Sequence, residues 1–130
     1  MTTQATGTFD VQLTPETSQD GPGSTLGRLV IAKQFQGDLA GTSTGAMLSA
    51  MTPTKGSAGY VAIERVTGIL QGRAGSFTLQ HSGTMDRGAQ QLVITVVPDS
   101  GTDGLAGITG QMRIIIEGKQ HSYEFDYTLP

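Results

Sequence analysis

Glu64, in the stretch "YVAIERVTGIL", is the residue with the clearest potential for chemistry in this chain. A carboxylate in an otherwise apolar strand is unusual, and a buried carboxylate without a partner has a raised pKa, which suits a general acid or base. Tyr60 precedes it and His81 follows in "FTLQHSG"; phenol and imidazole groups can orient a ligand or exchange protons with it. We therefore predict Glu64 as the catalytic residue of any reaction, and Tyr60 and His81 as ligand-binding residues.

The elements that must position these residues are β-strands. Apolar and polar residues alternate with a period of two almost from end to end, and 19 glycines against 5 prolines indicate many turns. Candidate strands cover 7–13, 27–35, 38–42, 45–51, 60–67, 75–81, 91–97, 111–117 and 120–129. With no convincing helix, the sequence predicts one all-β domain over residues 1–130. We expect an antiparallel meander of about eight strands, closed into a small barrel because closure removes both exposed edges; a two-sheet sandwich is the alternative.

Hairpin pairing predicts which of the polar residues face inward. A turn centred on positions 70 and 71 places Glu64 opposite Phe77 and Tyr60 opposite His81, while Arg65 points outward. The prediction depends on the turn, since a shift of one residue exchanges Glu64 with Arg65. A turn at positions 86 and 87 likewise places His81 on the core side, opposite residue 92.

The last hairpin has the clearest register. A turn in "EGKQ" sets Ile116 opposite His121, leaves Tyr127 on the same apolar face, and pairs Arg113 with Glu124 outside. His121 then lies at the same end of the barrel as His81. We therefore expect one mouth of the barrel to gather a set of site residues, with Glu64 as the catalytic group and the others binding a ligand: Tyr60, His81, His121, Phe77 and Tyr127.

Each of these residues also has a purely structural interpretation. Glu64 could be neutralised by Arg73 or by buried water, and His81 could cap its turn. Two histidines and one glutamate match a catalytic zinc set in type, but no short metal-binding spacing is present, so no metal is predicted. The glycine-rich stretches lack the features of a phosphate-binding loop, so no cofactor is predicted either.

Composition narrows the possible partners and compartments. The chain has 8 basic and 11 acidic residues without a run of either sign, so neither nucleic acid nor an anionic membrane surface is expected as a partner. The first ten residues do not resemble a secretory signal, and no apolar run approaches transmembrane length. A cytoplasmic protein is the default expectation. The absence of cysteine excludes disulfides and thiolate chemistry.

Two irregular stretches are predicted as loops. "TPETSQDGPGST" is expected to be an exposed loop or a mobile connection between strands. "VPDSGTDGLAG" is expected to be a wide hairpin turn in which Gly101, Gly104 and Gly107 adopt positive φ.

Several stretches together resemble a bacterial family of small proteins known as domain of unknown function 3224. The similarity rests on "FQGDLAGTSTG", "GYVAIERVTGILQGRAGSFTLQHSGT", "VPDSGTDGLAGITGQ" and "HSYEFDYTL", which cover most of the chain from Phe35 on. The resemblance implies a barrel similar to that of allene oxide cyclases, a fold also likened to lipocalins. Those enzymes hold an apolar substrate in the barrel beside a buried carboxylate; none of their catalytic residues has a matching motif here.

Two functions remain open on this basis. In the first, the barrel binds a small, mainly apolar ligand, and a cyclase or isomerase activity that uses Glu64 is its furthest extension. In the second, the barrel is packed solid and serves as a non-catalytic structural or homo-oligomerisation module. The volume inside the barrel distinguishes the two.

Overall fold

A computed structural model describes residues 2–130 and shows a closed antiparallel barrel. Its strands are β1 (Thr3–Gly21), β2 (Ser24–Gly37), β3 (Leu39–Met51), β4 (Ala58–Leu70), β5 (Arg73–Asp86), β6 (Ala89–Val96), β7 (Thr109–Glu117) and β8 (Gln120–Thr128). Each strand pairs with the next, and β1 pairs with β8 to close the sheet. The predicted all-β, eight-stranded barrel is therefore confirmed.

Alternation along the strands separates the interior from the outer wall. In β4, Ala62, Glu64 and Val66 are buried while the residues between them are exposed. This pattern follows from the pleat, which sends successive side chains to opposite faces of the sheet. The prediction that Glu64 points inward and Arg65 outward is confirmed.

Two hairpin turns lie one residue later than predicted. Gln71 and Gly72 both have positive φ, as do Arg87 and Gly88, which is the conformation that tight hairpin turns require. Glu64 therefore pairs with Leu79 rather than Phe77, and the partner of His81 also moves by two residues. Because the shift is two residues, every side chain keeps its predicted face. The predicted register of the last hairpin is confirmed.

Two predictions about where strands begin and end are wrong. The stretch "TPETSQDGPGST" is not a loop, because β1 and β2 extend through it as a long hairpin that turns at Pro22 and Gly23. The predicted strands 38–42 and 45–51 form the single strand β3. In both cases, backbone pairing with a long neighbouring strand stabilises sequences of weak strand propensity.

The connection between β6 and β7 closes one end of the barrel. It contains a short 3-10 helix (Asp103–Leu105) and buries Leu105 and Ile108 in the core. Of the three glycines predicted to have positive φ, only Gly107 does so, while Asp99 and Asp103 adopt it instead. The segment thus connects β6 to β7, as the predicted wide turn would, and it packs against the core.

The end of the barrel beside this connection is filled by large side chains, and we call it the packed end. Phe77 stacks on Phe125 with ring centroids 5.4 Å apart, and Phe125 stacks on Tyr127 at 5.4 Å. Phe35 meets Tyr123 edge to face at 5.6 Å. The lumen is therefore solid here, as expected for a small eight-stranded barrel.

The barrel has one weak seam, between β6 and β7. Only Ile94 with Met112 and Thr95 with Gln111 are in register across it. Beyond Ile94 towards the other end, residues 89–93 and 113–117 run on without pairing to each other. We call this other end, where the seam diverges, the open end.

Candidate functional site

Glu64 lies at the centre of a buried hydrogen-bond network inside the barrel. Its side chain is fully shielded from solvent. Oε1 accepts hydrogen bonds from Lys33 Nζ at 2.9 Å and from His81 Nε2 at 2.7 Å, and Oε2 accepts one from Ser43 Oγ at 2.6 Å. The carboxylate is thus bonded at both oxygens, as a buried charge must be to avoid a large desolvation cost.

Four consecutive strands, β2 to β5, each supply one member of this network. Lys33 and Ser43 are directly opposite each other, whereas Ser43 and His81 reach Glu64 diagonally from the adjacent strands. Gly45 is the residue directly opposite Glu64, and a Cβ there would lie 2.6 Å from the Cα of Glu64. Glycine at this position lets β3 and β4 approach closely beside the carboxylate.

Two opposing effects determine the pKa of Glu64. Burial raises it, but the hydrogen bond from His81, the charge of Lys33 and the hydrogen bonds from Ser43 and Lys33 outweigh burial and lower the pKa from 4.5 to about 2. The raised pKa expected from the sequence is therefore wrong, because the expectation assumed a carboxylate without partners. At neutral pH this group is an ionised acceptor.

The ionised carboxylate fixes the orientation of its neighbours. Because the Glu64 carboxylate can only accept hydrogen bonds, the His81 nitrogen that faces it, Nε2, carries a proton. The other ring nitrogen, Nδ1, takes no part in this hydrogen bond. The Lys33 ammonium lies 5.0 Å from the ring centroid of Phe9 and 5.9 Å from that of Phe35, within the range of cation–π attraction. The network thus forms a polar layer beside aromatic side chains.

A cavity of about 510 Å³ occupies the open end of the barrel. This volume falls within the usual range for small-molecule sites. The wall is mainly apolar and contains three methionines. The lining residues are Leu29, Met47, Ser49, Met51, Ala58, Gly59, Tyr60, Gly83, Thr84, Met85, Gln90, Gln91, Leu92 and Ile116.

Tyr60 connects the cavity with the polar layer. Its ring lines the cavity, and its centroid lies 6.4 Å from that of His81. Gly83 provides the space for this ring, because a Cβ at Gly83 would lie 2.7 Å from Cε1 of Tyr60. Burial and the nearby charge of Glu64 both raise the pKa of the Tyr60 hydroxyl, so it remains protonated.

The predicted site residues separate into two groups in the structure. Tyr60, Glu64 and His81 come together as expected, and His121 lies nearby, with its ring 5.3 Å from Phe9. Of the six predicted residues, only Tyr60 is among those that line the cavity. Glu64, His81 and His121 are not part of the lining, and Phe77 and Tyr127 lie at the packed end.

Sequence reasoning missed Lys33 and Ser43. Lys33 occupies an inward position in the alternating run from Leu29 to Phe35, so this alternation could have indicated that its side chain points into the barrel. Arg73, the partner suggested for Glu64, is instead exposed.

Two further structural findings concern binding. Among residues 2–130, no group of three histidine, aspartate or glutamate side chains is arranged to hold a metal ion. No helix in the same part of the chain is long and apolar enough to cross a membrane.

Comparison with known families identifies the chain's relatives. A family model described as "Protein of unknown function (DUF3224)" matches residues 5–127. The chain belongs to the DUF3224 family. A crystal structure of a DUF3224 protein of unknown function from Shewanella oneidensis MR-1 is similar, with 52% identity and a TM-score of 0.96, and the match covers 100% of this chain and 98% of that one. A comparison with curated proteins finds no match. The DUF3224 relationship confirms the resemblance seen in the sequence.

Proposed function

We propose that this DUF3224 protein binds a small, mainly apolar molecule in the open end of its barrel. The observation that carries the proposal is the cavity of about 510 Å³ with its wall of leucine, isoleucine and methionine side chains. Methionine is flexible and polarizable, so three methionines give the site an adaptable apolar wall. Burial of a ligand's apolar surface in such a site is favourable by about 25 cal/mol per Å².

The fold supports the same proposal. An eight-stranded barrel is wide enough to hold one small ligand where side chains do not fill it. The family resemblance implies a barrel similar to that of allene oxide cyclases, which hold an apolar substrate in the barrel, although fold similarity alone carries no chemistry.

The most active function that this proposal could include is that of a cyclase or isomerase. A carboxylate with a pKa of about 2 is a weak base at neutral pH, so Glu64 is poorly suited to remove a proton from a substrate. That carboxylate instead bonds to the His81 ring, whose centroid lies 6.4 Å from that of Tyr60. A cyclase or isomerase reaction would therefore use Glu64 to hold His81 rather than as the acid or base itself.

Binding of the neutral dye Nile red tests the proposal. We expect fluorescence enhancement that saturates at one dye per barrel. Ala58 lines the cavity, so Ala58→Phe fills part of it and should weaken binding by at least about tenfold, equivalent to about 1.4 kcal/mol.

Ala40→Phe is the matched control, because Ala40 is exposed on the outer wall; it should leave the affinity unchanged. Absence of saturable binding, or equal affinities in the two variants, would disprove the proposal.

A second candidate function is homo-oligomerisation, and one observation favours it. The outer faces of β2, β3 and β4 carry a cluster of exposed apolar side chains, which we call the outer apolar face. Its members are Leu26, Val30, Leu48, Val61 and Ile63. Exposed apolar side chains on adjacent strands are typical of protein interfaces, and one exposed charge, Arg28, lies directly opposite Leu48 within this face.

A further inference from the structure

The three tyrosines of the chain differ in how their hydroxyl groups are satisfied. Tyr123 shares its single hydroxyl proton between the carbonyl oxygens of Gln36 at 3.0 Å and Leu39 at 3.1 Å, and accepts from the amide of Leu39 at 2.9 Å. Tyr127 donates to the side-chain oxygen of Gln71. Within residues 2–130, the hydroxyl of Tyr60 has no such partner.

Tyr60 also differs from the other two tyrosines in its location. The two satisfied tyrosines belong to the packed end, whereas Tyr60 is half-buried and lines the cavity. Among residues 2–130 no fully buried side-chain nitrogen or oxygen lacks a hydrogen-bond partner, so the unpartnered hydroxyl of Tyr60 is accessible to solvent rather than sealed inside the protein. A ligand that excludes water from this hydroxyl would have to accept its hydrogen bond in place of water, or leave the donor unsatisfied.

The charges around the cavity limit the kind of ligand that fits. None of the described lining residues carries a charge, so an ionic ligand would lose its hydration without gaining a counter-ion there. Glu64 is the neighbouring charge that acts on the Tyr60 hydroxyl. Its negative charge keeps that hydroxyl a donor and opposes a carboxylate placed beside it.

We infer that the ligand is an uncharged, mainly apolar molecule with an oxygen acceptor, such as a ketone, ester or ether, that receives a hydrogen bond from Tyr60. This inference rests on the proposed function and adds the polar group by which the ligand is oriented. The apolar wall holds the body of the ligand, while Tyr60 fixes which end points towards the polar layer.

Three probes of similar shape test the inference. 2-Acetylnaphthalene has a ketone acceptor, 2-ethylnaphthalene replaces it with hydrocarbon, and 2-naphthoate carries a negative charge. Affinities are measured by displacement of Nile red from the complete chain. We expect the ketone to bind about five- to tenfold more tightly than the hydrocarbon, the usual effect of one neutral hydrogen bond, and the carboxylate to bind most weakly.

Two conservative variants locate the effect. Tyr60→Phe removes only the unpartnered hydroxyl, so the preference for ketone over hydrocarbon should disappear while the affinity for 2-ethylnaphthalene stays the same. Tyr127→Phe is the matched control, because it removes a hydroxyl at the packed end, and it should retain the preference. Gly83→Ala should also weaken the preference, since the added Cβ would displace the ring of Tyr60.

The outcomes separate this inference from the proposed function. Equal affinities for ketone and hydrocarbon, or a preference that persists in Tyr60→Phe, would overturn the inference while leaving apolar binding in place. Tightest binding of 2-naphthoate would overturn it as well. Failure of Nile red and all three probes to bind would overturn the proposed function, and the inference with it.

Discussion

At the scale of single residues, Glu64 shows how a buried charge is accommodated. The three groups that bond to it come from different strands, and together they overcome the desolvation that would otherwise make the group neutral. A buried ion pair of this kind contributes little to stability compared with an apolar core, but removing one partner from it is costly. The network therefore constrains how β2 to β5 are aligned.

The lowered pKa of Glu64 predicts how stability depends on pH. The group titrates near 4.5 when unfolded and near 2 when folded, so its contribution is fully present above about pH 5 and is lost as the pH falls towards 2. At about 1.4 kcal/mol per pKa unit, the contribution is roughly 3 kcal/mol. Urea unfolding of the wild-type protein between pH 7 and pH 2 should show this loss.

Glu64→Gln isolates the contribution of this one carboxylate. The variant should be less stable at pH 7, and the difference from wild type should shrink as the pH falls from 5 to 2. Asp126, whose pKa is lowered mainly by its hydrogen bond from Arg113, is partly exposed and is present in both proteins, so its titration cancels in the comparison. A difference that is constant across this pH range would contradict the assigned pKa.

At the scale of strands, the β6–β7 seam is the least constrained part of the barrel. The two strands share only the pairs Ile94 with Met112 and Thr95 with Gln111, and then diverge beside the cavity. Leu92 and Ile116, one from each side of the divergence, both line the cavity. We expect this part of the barrel to open most readily, because few backbone hydrogen bonds hold it.

A disulfide across the seam should stabilise the barrel and slow ligand exchange. Val93 and Arg113 are the positions that would face each other next if the register of Ile94 with Met112 continued, and the natural chain has no cysteine to interfere. In Val93→Cys/Arg113→Cys, closing the short connecting loop should add up to about 3 kcal/mol to the free energy of unfolding when oxidised.

The rates of Nile red association and dissociation in the oxidised and reduced forms provide the measurement. Both rates should fall on oxidation, whereas Val93→Ser/Arg113→Ser should exchange the dye at one rate under both conditions. Unchanged rates in a fully oxidised sample would exclude the seam as the route of entry.

At the scale of the whole molecule, the barrel has apolar surface on both its inside and its outside. The outer apolar face spans adjacent strands, with Leu48 directly opposite Val61. A two-fold dimer brings the same patch of both copies together, so an apolar patch is compatible with itself. Burial of this face in a dimer would remove its unfavourable exposure to water.

The oligomeric state of the wild-type protein and of Leu48→Lys provides the test. We expect a dimer in sedimentation velocity, and at least about thirtyfold weaker dimerisation in the variant, since an unpaired charge buried in an interface costs about 2–5 kcal/mol. Ile69→Lys places the same charge on an equally exposed outer residue beyond this face and should not alter dimerisation. A wild-type protein that is monomeric at every concentration would exclude the outer apolar face as a dimer interface.

The sequence by itself determined the all-β fold and most of the strands, the inward direction of Glu64 and His81, and the register of the last hairpin. These follow from local rules, because the pleat alternates side chains and a tight turn fixes the pairing on both sides of it. The glycines at positions 72 and 88 could also have fixed the other two registers, since each marks the second residue of its turn.

Only the tertiary structure decided which groups neutralise Glu64 and whether the barrel is hollow. Lys33 is 31 residues from Glu64 along the chain, and it reaches the carboxylate through the alignment of three strands. The cavity depends on the sum of side-chain volumes in each layer, which fills the lumen around Phe77 and leaves it open beside Tyr60. Partner choice and free volume are non-local quantities, so alternation along a single strand could not reveal them.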